Sequence, residues 1–177
     1  MKNRQSVETS MGFTALDGLM MGRRCGALDA GFVLYLMQSK GLNATEIETL
    51  LYRRSGLLGV SGISNNMWDL EQSDDPRARE AIELFCFRAA SVLGGLVTAL
   101  GGLDAIVFTA GIGENSAQVR RLICDRIAYL GVDLDPSCND GNSLCISSAQ
   151  SSVDVLVLPT DEETVIANAT NETVALR

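Results

Sequence analysis

One stretch restricts the folds open to this chain more than any other: Asp104-Ala-Ile-Val-Phe-Thr-Ala-Gly-Ile-Gly-Glu-Asn115. Ala105 to Phe108 form a short apolar run bounded upstream by Gly101-Gly102, which reads as a strand buried on both faces. Gly111 and Gly113 allow a tight turn and let the backbone approach a ligand closely. Asn115 or Ser116 can cap a following helix, in which Val119, Leu122, Ile123, Ile127 and Leu130 fall at helical spacing. Strand, glycine turn and helix N-terminus together present unpaired N–H groups and a positive dipole end, which suit a nucleotide. Two other readings fit the same letters. One is an ordinary βα corner whose glycines serve only the turn. The other is a dinucleotide fingerprint, Gly111-Ile-Gly113-Glu-Asn-Ser116, with Asp133 about 20 residues further on. The fingerprint is the weaker, because Ser116 stands where a third glycine belongs and roughly 100 residues precede a unit that should open its domain.

Length and charge set the frame. A chain of 177 residues can bury one good core, and 46% hydrophobic with 20% charged residues is a globular composition. The net charge of −8 argues against a nucleic-acid partner, which rewards a basic face. No uninterrupted apolar run reaches the roughly 18 residues of a membrane span, and the N-terminus leads into no signal-peptide core. The five cysteines (25, 86, 124, 138 and 145) are odd in number and lack C-x-x-C spacing, so reduced thiols in a cytoplasm are expected. Histidine is absent, which removes the commonest general base. Chemistry must then rest on carboxylates, arginines, backbone amides and a metal.

Along the chain, Ser6 to Met11 reads as a short strand, and Thr14-Ala-Leu-Asp17 as the capping start of a short helix. Two glycines flank Arg23 and Arg24. Helices are expected from about Ala30 to Ser39 and from after Asn43 to near Ser55. The glycine-punctuated segment Gly56 to Ile63 reads as loop, and Asn66 as a helix cap. Asp75-Pro76 opens the longest helix, with Ile82, Phe85, Cys86, Ala89, Leu93, Leu96 and Leu100 on its buried face and Gly101-Gly102 as its stop. Residues 135–150 form a polar connection with room for a short strand. Val153 to Leu158 is a second strand, and Thr160 caps a final helix with Glu163 at the third position. Two strands cannot make a sheet that stands alone.

Among side chains, Arg23 and Arg24 sit in a glycine-flanked turn where a guanidinium could clamp phosphate or carboxylate. Glu162 and Glu163 follow a strand end at Pro159, where α/β sites gather and a carboxylate can hold Mg²⁺ through water. Asn66 to Asp69 could line a base pocket. Each feature also has a plain structural use as a surface pair, a capping group or a helix start.

Taken in order, five motifs resemble those of acetate kinases. They are Glu8-Thr-Ser-Met-Gly-Phe-Thr14, Gly18-Leu-Met-Met-Gly-Arg-Arg-Cys-Gly26, Ser55-Gly-Leu-Leu-Gly-Val-Ser-Gly-Ile63, Phe108-Thr-Ala-Gly-Ile-Gly-Glu-Asn115 and Pro159-Thr-Asp-Glu-Glu163. The resemblance runs from about Lys2 to the end. It implies an α/β fold, the C-terminal part of an actin-like (ribonuclease H-like) ATPase lobe, helix-rich with an incomplete sheet. Residues 1–177 would then be a single partial domain without the N-terminal lobe. The implied activity is reversible transfer of the γ-phosphoryl group of ATP to acetate, with Mg²⁺. By motif position, Arg24 resembles the arginine that neutralises the transferring phosphoryl group. Gly111, Ile112, Gly113, Glu114 and Asn115 resemble the loop at adenosine and phosphate, Asn66, Met67 and Trp68 stand at the adenine pocket, and Glu162 resembles the magnesium carboxylate.

Three positions depart from the family pattern. Its Asp-Met-Arg at the adenine reads Asn66-Met67-Trp68, its Thr-Arg reads Arg23-Arg24, and its Gly-Asp-Ile-Asp-Pro reads Gly26-Ala27-Leu28-Asp29-Ala30. Two outcomes follow. One is a fragment or split half of an acetate kinase, completed by a separate N-terminal half and prone to self-association alone. The other is a non-catalytic remnant that binds nucleotide weakly or serves as an interaction module. No nucleic acid and no membrane are expected as partners.

Overall fold

The structure is a computed structural model and describes residues 1–175. Among them, helix α1 spans Ala30–Gln38, α2 Ala44–Arg53, α3 Gly56–Ser61, α4 Met67–Glu71 and α5 Pro76–Leu100. Strand β1 (Ala105–Phe108), helices α6 (Ala110–Asn115), α7 (Ala117–Arg126) and α8 (Pro136–Asp140), strand β2 (Asp154–Val157) and helix α9 (Glu162–Ala175) follow.

Local sequence explains most of these boundaries. Asp75 accepts from the Arg77 N–H with Pro76 at the first helical position, and Gly101 ends α5 at φ 77°. Asn43 and Glu46 form a reciprocal capping box on α2. Ser116, not Asn115, caps α7 by accepting from the Val119 N–H at 3.0 Å. The last helix is capped by Asp161, which accepts from the Thr164 N–H at 3.0 Å. Thr160, read as that cap, is engaged elsewhere.

The main core forms where α5 packs on α3, α4 and α7, over the β1–β2 pair. Its centre holds Leu57, Leu70, Ala78, Ala81, Ile82, Cys86, Val119, Ile127, Ile146 and Val155. Fully burying a leucine such as Leu57 or Leu70 contributes roughly 2 kcal/mol. A smaller cluster joins Leu36 of α1 to Ile47 and Leu51 of α2. By length and composition α5 could cross a membrane. Its first half is instead fixed in this core, and Glu83 within it pairs with Arg126 of α7.

β1 and β2 run parallel with Ala105 opposite Asp154 and Phe108 opposite Val157. The two edges differ. Beyond β2 the chain folds back, and the Ile146 N–H donates to Val155 O at 2.8 Å while the Val157 N–H donates to Leu144 O at 2.9 Å. Nothing among the described residues pairs with the far edge of β1.

Several sequence expectations are corrected. Residues 6–9 take no regular structure, and a lone bridge joins Lys2 to Gln5. Residues 13–19 are turns and bends, because Gly18 (φ 92°) folds the chain back against the Ser10 carbonyl. Gly56 to Ser61 is helix α3, not loop. Its first N–H groups are already satisfied: Leu57 and Leu58 donate to the carbonyls of Met21 and Gly22 at 2.9 Å each, so tertiary partners outweigh poor glycine propensity. The supposed tight turn at Gly111–Asn115 is the short helix α6. β1 is buried on one face only, with Val107 49% exposed. Residues 135–150 hold helix α8 and two isolated bridges, not a strand.

Candidate functional site

β1 delivers the chain to Thr109, an extended residue, and Ala110 then takes the left-handed conformation at φ 60°. A non-glycine residue there costs on the order of 1 kcal/mol, which the surrounding contacts must offset. The two glycines of α6 are not equivalent. A Cβ at Gly113 would meet the Phe108 backbone at 3.3 Å, whereas one at Gly111 would meet nothing within 4 Å. Close approach is therefore required only at Gly113. The Asn115 amide donates to Gly111 O at 2.8 Å and closes α6 on itself.

A buried guanidinium braces this turn from behind. Arg120 on α7 is 0% exposed. Its Nη1 donates to Gly113 O at 2.9 Å and to Glu114 O at 3.0 Å. Its Nε and Nη2 donate to Asn139 Oδ1 at 2.8 Å and Asn139 O at 2.7 Å, and Nη2 also donates to Asn142 Oδ1 at 2.6 Å. Among the described residues no carboxylate pairs with it, and burial lowers its pKa below the usual arginine value. Five acceptors compensate for the lost hydration.

The front of the turn is tied to the end of β2. Glu114 Oε1 accepts from the Thr160 N–H at 3.1 Å and from the Thr160 hydroxyl at 3.0 Å. These donors, the backbone N–H of Thr160 first, lower the Glu114 pKa, with a smaller contribution from the Ala110 N–H. The Glu114 carboxylate thus faces the N–H group at the start of α6 as well as Thr160. The start of α7 is tied to α4, because the Ser116 hydroxyl donates to Glu71 Oε1.

At its other end α4 meets the arginine turn. Arg23 Nη2 donates to Asn65 Oδ1 at 3.3 Å, and Gly22 lies against the Asn65 carbonyl. Asn66 caps α4 by accepting from the Trp68 N–H at 3.1 Å. Met67 is buried in the core, while Trp68 is 65% exposed. The half-buried Arg24 donates through Nη1 to the Ala15 carbonyl at 2.6 Å. Gly56 (φ 63°) lies beneath this turn, where a Cβ would run into the Met21 carbonyl and come within 2.9 Å of Arg24 O. An apolar cavity of about 560 Å³ lies beside the glycine turn, lined by Ser10, Leu19, Phe85, Leu93 and residues 106–113.

The structure thus links four of the stretches singled out in the sequence: the arginine turn, residues 65–71, the glycine turn and the end of β2. Glu162 opens α9 two residues after Thr160, but its side chain lies outside the described residues. Among the described residues, no three Asp, Glu, His or Cys side chains converge on a point. Asp161 and Glu114 are occupied by backbone donors. Magnesium accepts a donor set of one carboxylate with water and phosphate oxygens. Arg120, Asn139, Asn142, Glu71 and Thr160 as a brace were not apparent from the motifs. For Arg120 a signal existed: position 120 falls on the helical face of Ser116, Val119, Ile123 and Ile127.

A glycine turn at the carboxyl end of parallel strands, backed by a helical layer but with one sheet edge open, defines part of an α/β nucleotide-cleft fold. The sequence model of the acetokinase family matches residues 1–168. The acetate kinase of Rhodopseudomonas palustris (strain ATCC BAA-98 / CGA009) is 59% identical over 165 residues, covering 92% of this chain and 42% of that protein. The acetate kinase of Methylocella silvestris is 56% identical, covering 93% and 41% respectively. Among solved structures, Porphyromonas gingivalis acetate kinase superposes with a TM-score of 0.86 at 37% identity, over 93% of this chain and 43% of that one. A propionate kinase from Francisella tularensis gives 0.85 at 40% identity, over 89% and 41%. The chain belongs to the acetokinase family and corresponds to the C-terminal portion of its members. It spans less than half the length of the relatives it matches.

Proposed function

We propose that this chain is one partial domain of an acetate kinase, a cytoplasmic protein that forms acetyl phosphate from ATP and acetate only when the first lobe completes the cleft. The observation that carries this reading is the glycine turn at the strand ends, braced from behind by Arg120 and from the front by Thr160, within a match that runs from residue 1 to residue 168. Phosphoryl transfer depends on positioning and charge stabilisation, and preset backbone N–H groups supply the first. In this reading Gly111, Ile112, Gly113, Glu114 and Asn115 face the adenosine and its phosphates. Arg24 leaves the Ala15 carbonyl to meet the transferring phosphoryl group. Asn66, Met67 and Trp68 border the base, Met67 through its backbone because its side chain lies in the core. Glu162 would hold Mg²⁺ through water, and the bound ion supplies charge neutralisation between phosphates.

A second reading is favoured by three observations: Arg24 is already satisfied by a backbone carbonyl, Trp68 stands exposed where the family has an arginine, and the Glu114 carboxylate faces the N–H group at the start of α6. These suit a non-catalytic remnant that binds Mg·ATP only weakly, roughly in the millimolar range or about −4 kcal/mol. A coupled assay separates the two. The pure chain should form no acetyl phosphate, and adding the N-terminal portion of the R. palustris enzyme should restore turnover. Turnover by the pure chain at an ordinary kinase rate, about 1 to 100 per second, would refute the need for the first lobe. Stoichiometric association without turnover would support the remnant.

A further inference from the structure

The two arginines of the arginine turn are adjacent in sequence, yet their guanidinium groups part. Arg24 Nη1 is taken by the Ala15 carbonyl at 2.6 Å. Arg23 is exposed and makes one side-chain hydrogen bond, from Nη2 to Asn65 Oδ1 at a long 3.3 Å. Among the described residues no carboxylate pairs with it. A guanidinium carries five N–H groups, so most of the Arg23 donors face solvent. Its backbone, by contrast, is pinned. Arg23 O accepts from the Ser55 N–H at 3.0 Å, beside the bonds that Leu57 and Leu58 make to Met21 and Gly22. The cation is held in place without being neutralised.

Beside it stands an exposed indole. Asn65 leads into Asn66, the cap of α4, and Trp68 in the first turn of α4 is 65% exposed. An exposed indole is a stacking surface for a base, and a guanidinium with unengaged donors is a fork for phosphate oxygens. The far end of α4 is joined to the glycine turn, because Glu71 accepts from the Ser116 hydroxyl. Leu19, just ahead of the arginine turn, lines the same cavity as Gly111 and Gly113. Arginine turn, α4 and glycine turn therefore border one place. Both positions also depart from the family pattern, with arginine at 23 for threonine and tryptophan at 68 for arginine. We infer that Arg23 contacts the phosphates of a nucleotide whose base stacks on Trp68, so the cation comes from the arginine turn and the stacking surface from α4. This deepens, and rests on, the proposed nucleotide site, to which it adds a phosphate-binding residue distinct from Arg24. In a chain of net charge −8, one placed cation changes the reception of an anionic ligand.

The probe is ADP in the presence of a chelator, so that no contact through magnesium contributes, titrated into the whole chain. Calorimetry gives the affinity. Trp68 is the single tryptophan, so its emission reports on this place alone. ADP should quench Trp68 in wild type. Arg23→Thr should weaken ADP binding about fivefold, the scale of a charge contact at an exposed place. Arg23→Lys should recover part of the loss, because the charge remains while the fork does not. The gap between wild type and Arg23→Thr should close as salt is raised. Arg23 is exposed, so the urea midpoints of both variants should match wild type. Three results would overturn the assignment: Arg23→Thr binds ADP like wild type, the gap is indifferent to salt, or calorimetry detects ADP while Trp68 emission stays unchanged. Each of these leaves nucleotide binding at the glycine turn standing. If wild type gives neither heat nor quenching with ADP in roughly the millimolar range, the nucleotide reading itself falls and Arg23 loses its role with it.

Discussion

The glycine turn at residues 110–115 and the arginine turn at residues 21–26 are both small loops rich in glycine, yet they are fastened in opposite ways. Side chains hold the first: the Arg120 guanidinium, the Asn115 amide and the Glu114 carboxylate on Thr160. Main-chain bonds from the start of α3 hold the second, and they fit only because Gly56 lacks a side chain. A turn clamped by polar side chains should tolerate small additions of volume but fail when a partner is removed. A turn clamped by backbone should do the reverse.

The largest effect should come from Arg120→Met. The substitution leaves five acceptors without their donor, and even partial rehydration should leave a loss of about 4 kcal/mol. The drop in urea midpoint measures it, and a loss below about 1 kcal/mol would mean water replaces the guanidinium at little cost. Gly56→Ala attacks the other turn. Its Cβ collides with backbone atoms that cannot swing away, and with φ 63° the loss should be about 2–3 kcal/mol. Should Gly56→Ala cost less than Arg120→Met costs after correction for lost volume, the contrast still holds. Should it cost nothing, the backbone clamp is looser than described.

A sharper contrast lies inside the glycine turn. Gly111→Ala places its methyl in open space on a helical residue and should gain about 0.5 kcal/mol, whereas Gly113→Ala pushes on the Phe108 backbone and should lose about 1 kcal/mol. Opposite signs in the two urea melts are the check. The smallest effect is acid dependence. Glu114 has its folded pKa below the ordinary value of 4.5, so its contribution is fully present above that value and is lost as pH falls through the folded pKa. Glu114→Gln should therefore make the midpoint less sensitive to pH below 4.5, with its small deficit against wild type present near neutrality and closing in acid. Parallel midpoint curves for the two proteins would show that Thr160 holds the carboxylate too weakly to matter.

These contrasts also explain which parts of the molecule were legible beforehand. α5, α7 and β1 announce themselves locally, through Asp75-Pro76, the apolar spacing of residues 119–130 and the Ala105–Phe108 run. The ordered motifs led to the right family because each carries its own glycines and charges. α3 was not legible, since Gly56 to Ser61 becomes helical only when carbonyls from residues 21–23 meet its N-terminus. The irregular path of residues 6–20 was hidden for a more local reason, since Gly18 at φ 92° turns the chain back against the Ser10 carbonyl. Arg120 escaped notice because arginine is normally a surface residue, and its acceptors come from residues 113, 114, 139 and 142. The half-exposed Val107 reflects a sheet covered on one face only, which no pattern within so short an apolar run can reveal.

The parallel pairing of β1 with β2 also dictates an order of assembly. The two strands are separated by residues 109–153, so closing them is entropically slow compared with forming the helical turns between. The helices of the core are neighbours in sequence or nearly so, and α5 can seat α3 and α4 before either strand has its partner. Thr160 reaches Glu114 only after β2 has docked. The glycine turn should therefore be among the last features to become rigid during folding, and among the first to loosen when the protein begins to unfold.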